Sequence, residues 1–309
     1  MSDSTLKRDL HYEVTNGIIS AIEAGASGSD WIMPWTRSGS GMPTNATTKA
    51  QYRGVNVLQL WCAAAARGYP SDLWASFKQW QGVGASVRKG EKGTIVVYYN
   101  TAIKTDRDTG DETRIPILKY SHVFNAAQVD GYEIPAIVKP ALAESIAHAD
   151  AYVRHTGADI RGGDSRACYV PSQDHIRMPD PDRFIATATA TATESYYSTL
   201  LHELTHWTGH ESRCNRNLTG RFKEHSYAVE ELIAELGAAF ACAQLGIAPG
   251  KHQDHASYIA SWLACLRADK RAIFTAAARA SDAVAFLDSK QPAAVDAPEA
   301  EPIPESLAA

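Results

Sequence analysis

The chain has 309 residues, of which 45% are hydrophobic and 21% are charged, as in globular rather than disordered proteins. It contains no run of eighteen apolar residues and no secretory leader, so we expect a cytoplasmic protein without a membrane partner. Its five cysteines form no CxxC pair, which excludes a disulfide framework. The net charge of −5 is uneven: residues 1–130 hold 14 Lys and Arg against 12 Asp and Glu, whereas residues 131–309 hold 16 against 23. This asymmetry suggests different partners for the two halves.

The front half is predicted to combine helices with a long β-hairpin. Apolar residues recur every four positions between Leu6 and Ile22, the period of an amphipathic helix, and β-branched residues dominate the two predicted strands. In chain order we predict a helix ending near Gly25, a loop over 25–48, helices over 55–67 and 73–81, and strands over 94–103 and 117–124.

The back half is predicted to be mainly helical. We predict a helix over 141–156, short strands over 168–170 and 175–178, a loop over 186–193, and helices over 194–210, 226–245, 254–268 and 270–287. The chain is thus expected to be α+β with two domains. Their predicted bounds are a front domain over 1–130, a linker over 131–139, a back domain over 140–290 and a disordered acidic tail over 291–309.

A metal site is predicted by the segment Thr199–Gly209. His202 and His206 are four residues apart, so on a helix both imidazoles lie on one face and can bind one cation. Imidazole suits Zn²⁺ with one open coordination position, although the same ligands also accept Mn²⁺ or Co²⁺. Glu203 follows the first histidine, where its carboxylate can take a proton from a water on the metal. The pattern predicts a zinc metallopeptidase with Glu203 as general base.

The third protein ligand must come from outside this motif. Ser212 stands where metzincins have a third histidine, and His210 is a less favoured candidate that suits a helix terminus better. In the predicted helix over 226–245, Glu231 and Glu235 are four residues apart on one face, the spacing that gluzincins use. We predict that Glu231 binds the metal and that Glu235 orients His202.

Three further expectations follow from this placement. Glu230 should lie on the solvated face of its helix. The strand over 168–170 precedes the metal helix, where zincins bind an extended peptide by β-augmentation. Tyr169, His255 and Tyr258 are candidates for stabilising an oxyanion, and the sequence does not choose among them.

Aromatic and basic residues alternate with glycines in the front half. Bases of single-stranded nucleic acid stack on aromatic faces while cations follow the backbone, and glycines let the main chain approach phosphates. The predicted DNA-binding residues are Trp31, Trp35, Tyr52, Arg53, Asn56, Arg88, Lys89 and Lys92.

Several motifs carry a resemblance to a known family. Pro34-Trp35, Tyr52-Arg53-Gly54-Val55-Asn56, the run 84–93 and Val123-Phe124-Asn125 resemble the N-terminal domain of ArdC-type antirestriction proteins, which TraC-type primases share. The back-half segments 199–209 and 227–240 resemble the polyvalent-protein metallopeptidase domain that follows it in ArdC.

This resemblance covers roughly residues 5–288, with both domains in the same order. It implies a domain that binds single-stranded DNA (ssDNA) without sequence specificity, joined to a gluzincin-like peptidase. It also implies protection of conjugating plasmid DNA from host restriction. Residue by residue, it supports His202, Glu203, His206 and Glu231.

Three functions are compatible with the sequence. The first is an antirestriction protein whose peptidase cleaves an unknown protein, such as a component of the host restriction system. The second is a regulatory metallopeptidase that DNA recruits to a repressor. The third is a non-enzymatic protein that shields DNA and has a structural metal. An intact Glu203 favours the first two, because a structural metal needs no general base.

Overall fold

The computed structural model describes residues 8–26, 41–105, 112–136, 140–218, 225–249 and 255–292. The predicted tail beyond 292, Trp31 and Trp35, and most of the loop predicted over 25–48 lie outside these ranges. In the described residues the helices are α1 (Leu10–Ala26), α2 (Val55–Arg67), α3 (Phe77–Gly82), α4 (Leu142–His155), α5 (Ala192–Trp207), α6 (His225–Leu245), α7 (His255–Ala268) and α8 (Ala272–Asp288). None of the helices in these ranges is long and apolar enough to span a membrane.

Three small sheets accompany the helices. The strands are β1 (Thr44–Asn45), β2 (Leu73–Ser76), β3 (Ser86–Val87), β4 (Thr94–Thr105), β5 (Glu112–Asn125), β6 (Val129–Asp130), β7 (Asp159–Arg161), β8 (Cys168–Val170) and β9 (His175–Arg177). The sheet orders are β1-β2-β5-β4, β3-β6 and β7-β9-β8. The pairs β1–β2 and β7–β9 are parallel, and the other neighbours are antiparallel. The mixture of helices and sheets confirms the predicted α+β class.

Helix α2 illustrates why several sequence predictions are correct. Its apolar positions are buried along one side, and the helix ends at Gly68, whose backbone is left-handed with φ 68°. Glycine adopts this conformation without steric cost, so a glycine at this position ends a helix efficiently. The predicted hairpin is also confirmed, because β4 and β5 pair from Thr94–Val123 to Thr105–Glu112.

The helix predicted over 73–81 is wrong in its first half. Residues Leu73–Ser76 form β2, which lies between β1 and β5. Ser76 then caps α3: its Oγ accepts from the N–H of Gln79, and the Gln79 side chain accepts from the N–H of Ser76. A capping box stops a helix from extending backwards, and backbone pairing on both sides fixes the preceding residues as a strand.

In the back half, helix α5 packs against a small sheet. Helix α5 begins at a capping box in which Thr191 and Glu194 exchange hydrogen bonds. Strands β8 and β9 confirm the predicted short hairpin. Strand β7 was not predicted, and it completes the sheet by pairing with β9. Its three residues contain one apolar side chain, Ile160, which is too short a pattern to predict a strand, so the pairing with β9 defines it.

The two halves share one hydrophobic core. Buried side chains of α1 and α2 belong to the same cluster as those of α5, α6, α7 and α8; among them are Val14, Ile18, Val57, Leu58, Leu201, Leu236, Trp262 and Ala277. Two smaller clusters lie in the front half, one around Trp80 and one around Trp74. Polar contacts also cross between the halves: Thr15 Oγ1 donates to the carbonyl of Lys270 at 2.7 Å. The domain bounds at 131–139 stay a prediction. The packing shows that the two halves do not have separate hydrophobic cores.

Candidate functional site

Helix α5 presents two histidines toward α6. His202 and His206 lie one turn apart, with ring centroids separated by 4.9 Å and ring planes inclined by 79°. Both side chains are almost fully buried. The helical spacing that the sequence predicted therefore brings both imidazoles to one point beneath the surface.

Glu231 on α6 faces both rings. Its carboxylate oxygens lie 3.6 Å from His202 Nε2 and 3.7 Å from His206 Nε2. Two ligands each about 2.1 Å from a tetrahedral ion would be about 3.4 Å apart, so these separations suit ligands around a shared cation better than hydrogen bonds. One ligand atom from each residue lies within 4.8 Å of the other two. These three residues could hold a divalent metal ion.

Each histidine has a second carboxylate behind it. Glu235 Oε2 lies 3.6 Å from His202 Nδ1, which is the pairing predicted for it. Glu230 Oε1 lies 3.1 Å from His206 Nδ1. Such partners fix the orientation and tautomer of an imidazole and raise its basicity toward a metal.

The expectation that Glu230 lies in solvent is wrong. Glu230 is 8% exposed and contacts His206 on one side and Arg216 on the other. Consecutive residues of a helix point about 100° apart. Because α6 is buried around most of its circumference, both Glu230 and Glu231 can face the site.

Arg216 explains how a second buried carboxylate is tolerated. Its guanidinium donates to both oxygens of Glu230, at 3.0 and 2.9 Å. It also donates to the carbonyl of Thr205 and to Thr208 Oγ1, which ties it to the end of α5. A bidentate Arg–carboxylate pair is both strong and directional. Arg216 carries no motif that would have identified it from the sequence.

Helices α5 and α6 approach closely beside the histidines. A Cβ added to Gly237 would lie 2.5 Å from Thr205 Cγ2, so no larger residue fits there without moving one helix. Thr205 is itself completely buried. Gly237 thus brings the carboxylates of α6 within reach of the imidazoles of α5.

Glu203 faces the edge of the β7-β9-β8 sheet. Its Oε2 accepts a 2.7 Å hydrogen bond from the backbone N–H of Tyr169 in β8. The side chain is 7% exposed, so it lies in the same buried region as the two histidines. The structure therefore places the predicted general base between the metal helix and the predicted peptide-binding strand.

The carboxylates raise the pKa of both imidazoles. Burial lowers the pKa of His206, but hydrogen bonds with Glu230 and Glu231 outweigh it and raise that pKa to about 9. Burial also lowers the pKa of His202, but hydrogen bonds with Glu231 and Glu235 outweigh it and raise that pKa well above its usual value. Burial would raise the pKa of Glu231, yet its contacts with the two histidines hold it well below the usual range. Without a metal, the site therefore retains protons on its imidazoles at neutral pH.

The other candidates of the back half have different partners. His210 pairs with Ser212 Oγ at 2.9 Å, on the exposed turn after α5. The hydroxyl of Tyr169 donates to Asp174 and accepts from Arg213. Of the other oxyanion candidates, the side chains of His255 and Tyr258 lie outside the described part of the structure.

The predicted DNA-binding residues near Gly54 separate into structural and exposed ones. Asn56 is anchored, because its amide donates to the carbonyl of Val97 and accepts from the N–H of Val97, both at 2.8 Å. Tyr52 is half-buried, and its hydroxyl reaches Asn45 and the carbonyl of Trp74. Arg53 is exposed.

The basic turn over 88–92 divides in the same way. Arg88 donates to the carbonyls of Ala127 and Val129 and forms ion pairs with Glu91 and Asp130. Its guanidinium therefore fastens the turn to the β3–β6 sheet. Lys89 and Lys92 are exposed and remain the cations of this turn that can meet a phosphate.

Exposed tyrosines of the β4–β5 hairpin were missed by the sequence analysis. Tyr98 and Tyr99 are 49% and 60% exposed and point to opposite faces of β4, while Tyr120 on β5 is 41% exposed and has the guanidinium of Arg8 over its ring. Exposed aromatic rings of this kind are candidates for stacking on the bases of single-stranded nucleic acid. The signal in the sequence was the pair Tyr98-Tyr99, but aromatic residues are also typical of a β-strand.

Both halves match known protein families. Residues 8–124 match the N-terminal domain of the anti-restriction factor ArdC, and residues 147–279 match the zincin-like metallopeptidase family.

Similar proteins of known sequence or structure agree with these matches. An uncharacterized protein of Sinorhizobium fredii, y4eC, is 44% identical, with 92% of each chain covered. The metal-free crystal structure of the antirestriction protein ArdC from plasmid R388 superposes with a TM-score of 0.75 at 42% identity, covering 92% of this chain and 98% of that one. The Mn(II)-bound ArdC structure gives 0.73 at 40% identity over the same shares. The DNA primase TraC of Escherichia coli is 36% identical over 93% of this chain, which spans 28% of the primase.

Proposed function

We propose, because the chain belongs to the ArdC family of antirestriction proteins, that it binds ssDNA and is a metal-dependent peptidase that protects incoming plasmid DNA from restriction. The observation that carries the peptidase is the convergence of His202, His206 and Glu231 with Glu203 beside them. A structural metal site would not require this additional carboxylate.

The proposed ligands are His202, His206 and Glu231. Zn²⁺ suits this set of nitrogen and oxygen donors, and Mn²⁺ or Co²⁺ would fit the same ligands; the Mn(II)-bound structure of a relative supports a divalent cation. A bound cation would supply Lewis acidity, which polarises a peptide carbonyl and lowers the pKa of water. Glu230 and Glu235 hold the imidazoles in orientation from behind.

Glu203 would act as the proton acceptor during peptide hydrolysis. The N–H of Tyr169 holds one carboxylate oxygen, which leaves the other oxygen to receive a proton and to pass it to the leaving amine. Strand β8 ends its sheet beside Glu203, so an extended peptide lying along this edge would pass the site. Because the N–H of Tyr169 is bonded to Glu203, such a peptide would not pair with that N–H.

DNA binding is assigned to the front half. The exposed Arg53, Lys89 and Lys92 supply positive charge, and the exposed tyrosines of the hairpin supply aromatic faces. A peptidase held on DNA would meet DNA-bound proteins at high effective concentration, and would need little sequence selectivity of its own. The substrate class we propose is a protein bound to the entering strand or to the newly made duplex.

The test combines biochemistry with conjugation. The purified chain is analysed for metal and assayed for protein hydrolysis with and without ssDNA. Plasmid transfer into restricting and non-restricting recipients is then compared for wild type, Glu203→Gln and the double variant Lys89→Ala/Lys92→Ala. We expect both variants to give fewer plasmid transfers than wild type into the restricting host, and as many as wild type into the non-restricting host. Full protection by Glu203→Gln would show that shielding is enough, and full protection by the lysine variant would show that Lys89 and Lys92 are not needed. Equal transfer into the restricting host with and without the wild-type chain would overturn the antirestriction function.

A further inference from the structure

A cleft crosses the boundary between the two halves of the chain. It has a volume of about 550 Å³ and lies between the segment Arg53–Asn56 (RGVN), strands β4 and β5, and helix α8. Its size is within the range of roughly 300–1,000 Å³ found for small-molecule and cofactor sites. The side chains that matter here are Arg53 and Tyr99 on one wall and Arg279 on the other.

The floor of the cleft is fixed by contacts between its walls. The N–H of Gly54 donates to Ser281 Oγ of α8 at 2.9 Å. Gly54 has φ +60°, a left-handed backbone conformation that favours glycine. Its hydrogen bond to Ser281 joins the segment Arg53–Asn56 to α8, so the walls are held in place before a ligand arrives.

The aromatic wall is suited to stacking. Tyr99 is 60% exposed, and its hydroxyl lies 3.4 Å from His11 Nε2. The His11 ring in turn packs on Phe274, with centroids 4.7 Å apart. The tyrosine is thus held at its hydroxyl end while much of its ring stays accessible, which is the arrangement that base stacking requires.

Two arginines line the cleft together with Tyr99. Arg53 is exposed and forms no ion pair among the described residues. Arg279 pairs with Asp282, but at 3.6 Å and with both side chains more than half exposed. A solvent-screened pair of this kind contributes little, so Arg279 can exchange the carboxylate for a phosphate. Among the described residues that line the cleft, Asp282 is the one acidic side chain, against the two arginines.

We infer that this cleft is the path of ssDNA across the molecule, with a base stacked on Tyr99 and adjacent phosphates held by Arg53 and Arg279. The inference rests on the proposed function and extends it, because Arg279 belongs to the back half, whereas the sequence placed DNA binding within residues 1–130. Single-stranded DNA fits the combination of one accessible ring and two flanking cations, since a duplex hides the faces of its bases.

The experiment uses the full chain and a fluorescently labelled 20-nucleotide oligo(dT), with anisotropy measured between 50 and 200 mM salt. We expect Tyr99→Ala to weaken binding by about 5- to 100-fold and Tyr99→Phe to restore it, because stacking needs the ring and not the hydroxyl. Arg53→Ala and Arg279→Ala should each lower the slope of log K against log salt by about 0.7, the value for one lost phosphate contact on a single strand.

Two matched variants serve as controls. Tyr12→Ala removes an exposed ring of α1 that does not line the cleft, and Arg154→Ala removes an exposed arginine paired with Asp150 on α4. Both should bind like wild type, and thermal unfolding confirms that every variant is folded. If wild type binds DNA but the cleft variants match the controls, the cleft assignment is overturned while the proposed function stands. If wild type does not bind ssDNA, the proposed DNA-binding function fails as well.

Discussion

The carboxylate of Glu203 accepts a hydrogen bond from the backbone N–H of Tyr169 at 2.7 Å. Both residues are buried, and the bond joins the middle of β8 to the metal motif of α5. Because the acceptor is charged, this is among the stronger classes of protein hydrogen bond. The position of the proposed general base relative to the two imidazoles therefore depends on the sheet as well as on the helix.

Two substitutions of Glu203 should separate its structural and chemical roles. Glu203→Gln retains an oxygen that can accept the Tyr169 N–H, so metal content and folding should persist while peptide hydrolysis is lost. Glu203→Ala leaves that N–H without a partner in a buried place, which costs about 1–3 kcal/mol of unfolding free energy. Chemical denaturation and a hydrolysis assay measure the two effects. Wild-type turnover by Glu203→Gln would rule out the general-base role.

The purified chain should bind about one divalent metal ion through two His and one Glu. His202→Ala, His206→Ala and Glu231→Ala should each abolish tight binding, because each removes one of the three converging ligand atoms. His210→Ala is the control, since that ring pairs with Ser212 on the exposed turn. Elemental analysis and calorimetric titration with Zn²⁺, Mn²⁺ and Co²⁺ measure the outcome. Metal lost in His210→Ala and kept in Glu231→Ala would contradict this ligand set.

Glu230→Ala should weaken metal binding by about 10- to 100-fold, the usual effect of removing a partner that orients a ligand histidine. The substitution also leaves the guanidinium of Arg216 without its carboxylate in a buried position, so a loss of stability should accompany it. Glu230→Gln keeps an acceptor for His206 and should be milder. Glu211→Ala, on the exposed turn after α5, is the control. Equal metal affinity in Glu230→Ala and wild type would mean that the His206 contact does not orient the ligand.

Metal affinity and metal-free stability should depend on pH with opposite signs. The pKa of His206 is raised from 6.5 to about 9 in the metal-free protein. The stabilisation that comes from its protonated ring is thus fully present below pH 6.5 and is lost as the pH rises through about 9. Metal binding requires the neutral ring, so affinity should increase over the same interval. Thermal unfolding in a chelator and metal titrations between pH 6 and 9 would show both trends, and a pH-independent affinity would contradict them.

Arg88→Ala should destabilise the front half, whereas Lys89→Ala should not. Arg88 fastens its turn to the carbonyls of Ala127 and Val129, but Lys89 is exposed. Melting temperatures of the two variants test the difference. Equal melting temperatures would show that Arg88 is available for DNA, as the sequence analysis assumed.

Local patterns predicted that His202 and His206 share one helix face, as they do in the structure, and long-range packing accounts for the errors. The spacing of His202 and His206 needs only a helix, so the sequence was sufficient. The prediction for Glu230 was wrong because its burial depends on the ion pair with Arg216. Arg216 lies fourteen positions earlier in the chain, after the end of α5. Asn56 resembles a polar contact residue in sequence, yet only the position of β4 shows that its amide is satisfied by Val97.

The core common to both halves has a consequence for inheritance. A recombination event that transferred only the segment before residue 131 would leave Val14, Ile18 and Val57 without the helices that cover them. A transfer of only the segment after residue 130 would likewise lose α1 and α2, which pack on α7 and α8. Selection against exposed apolar surface would then favour exchange of the two halves together. The similarity to the TraC primase of Escherichia coli extends over 93% of this chain and so covers both halves.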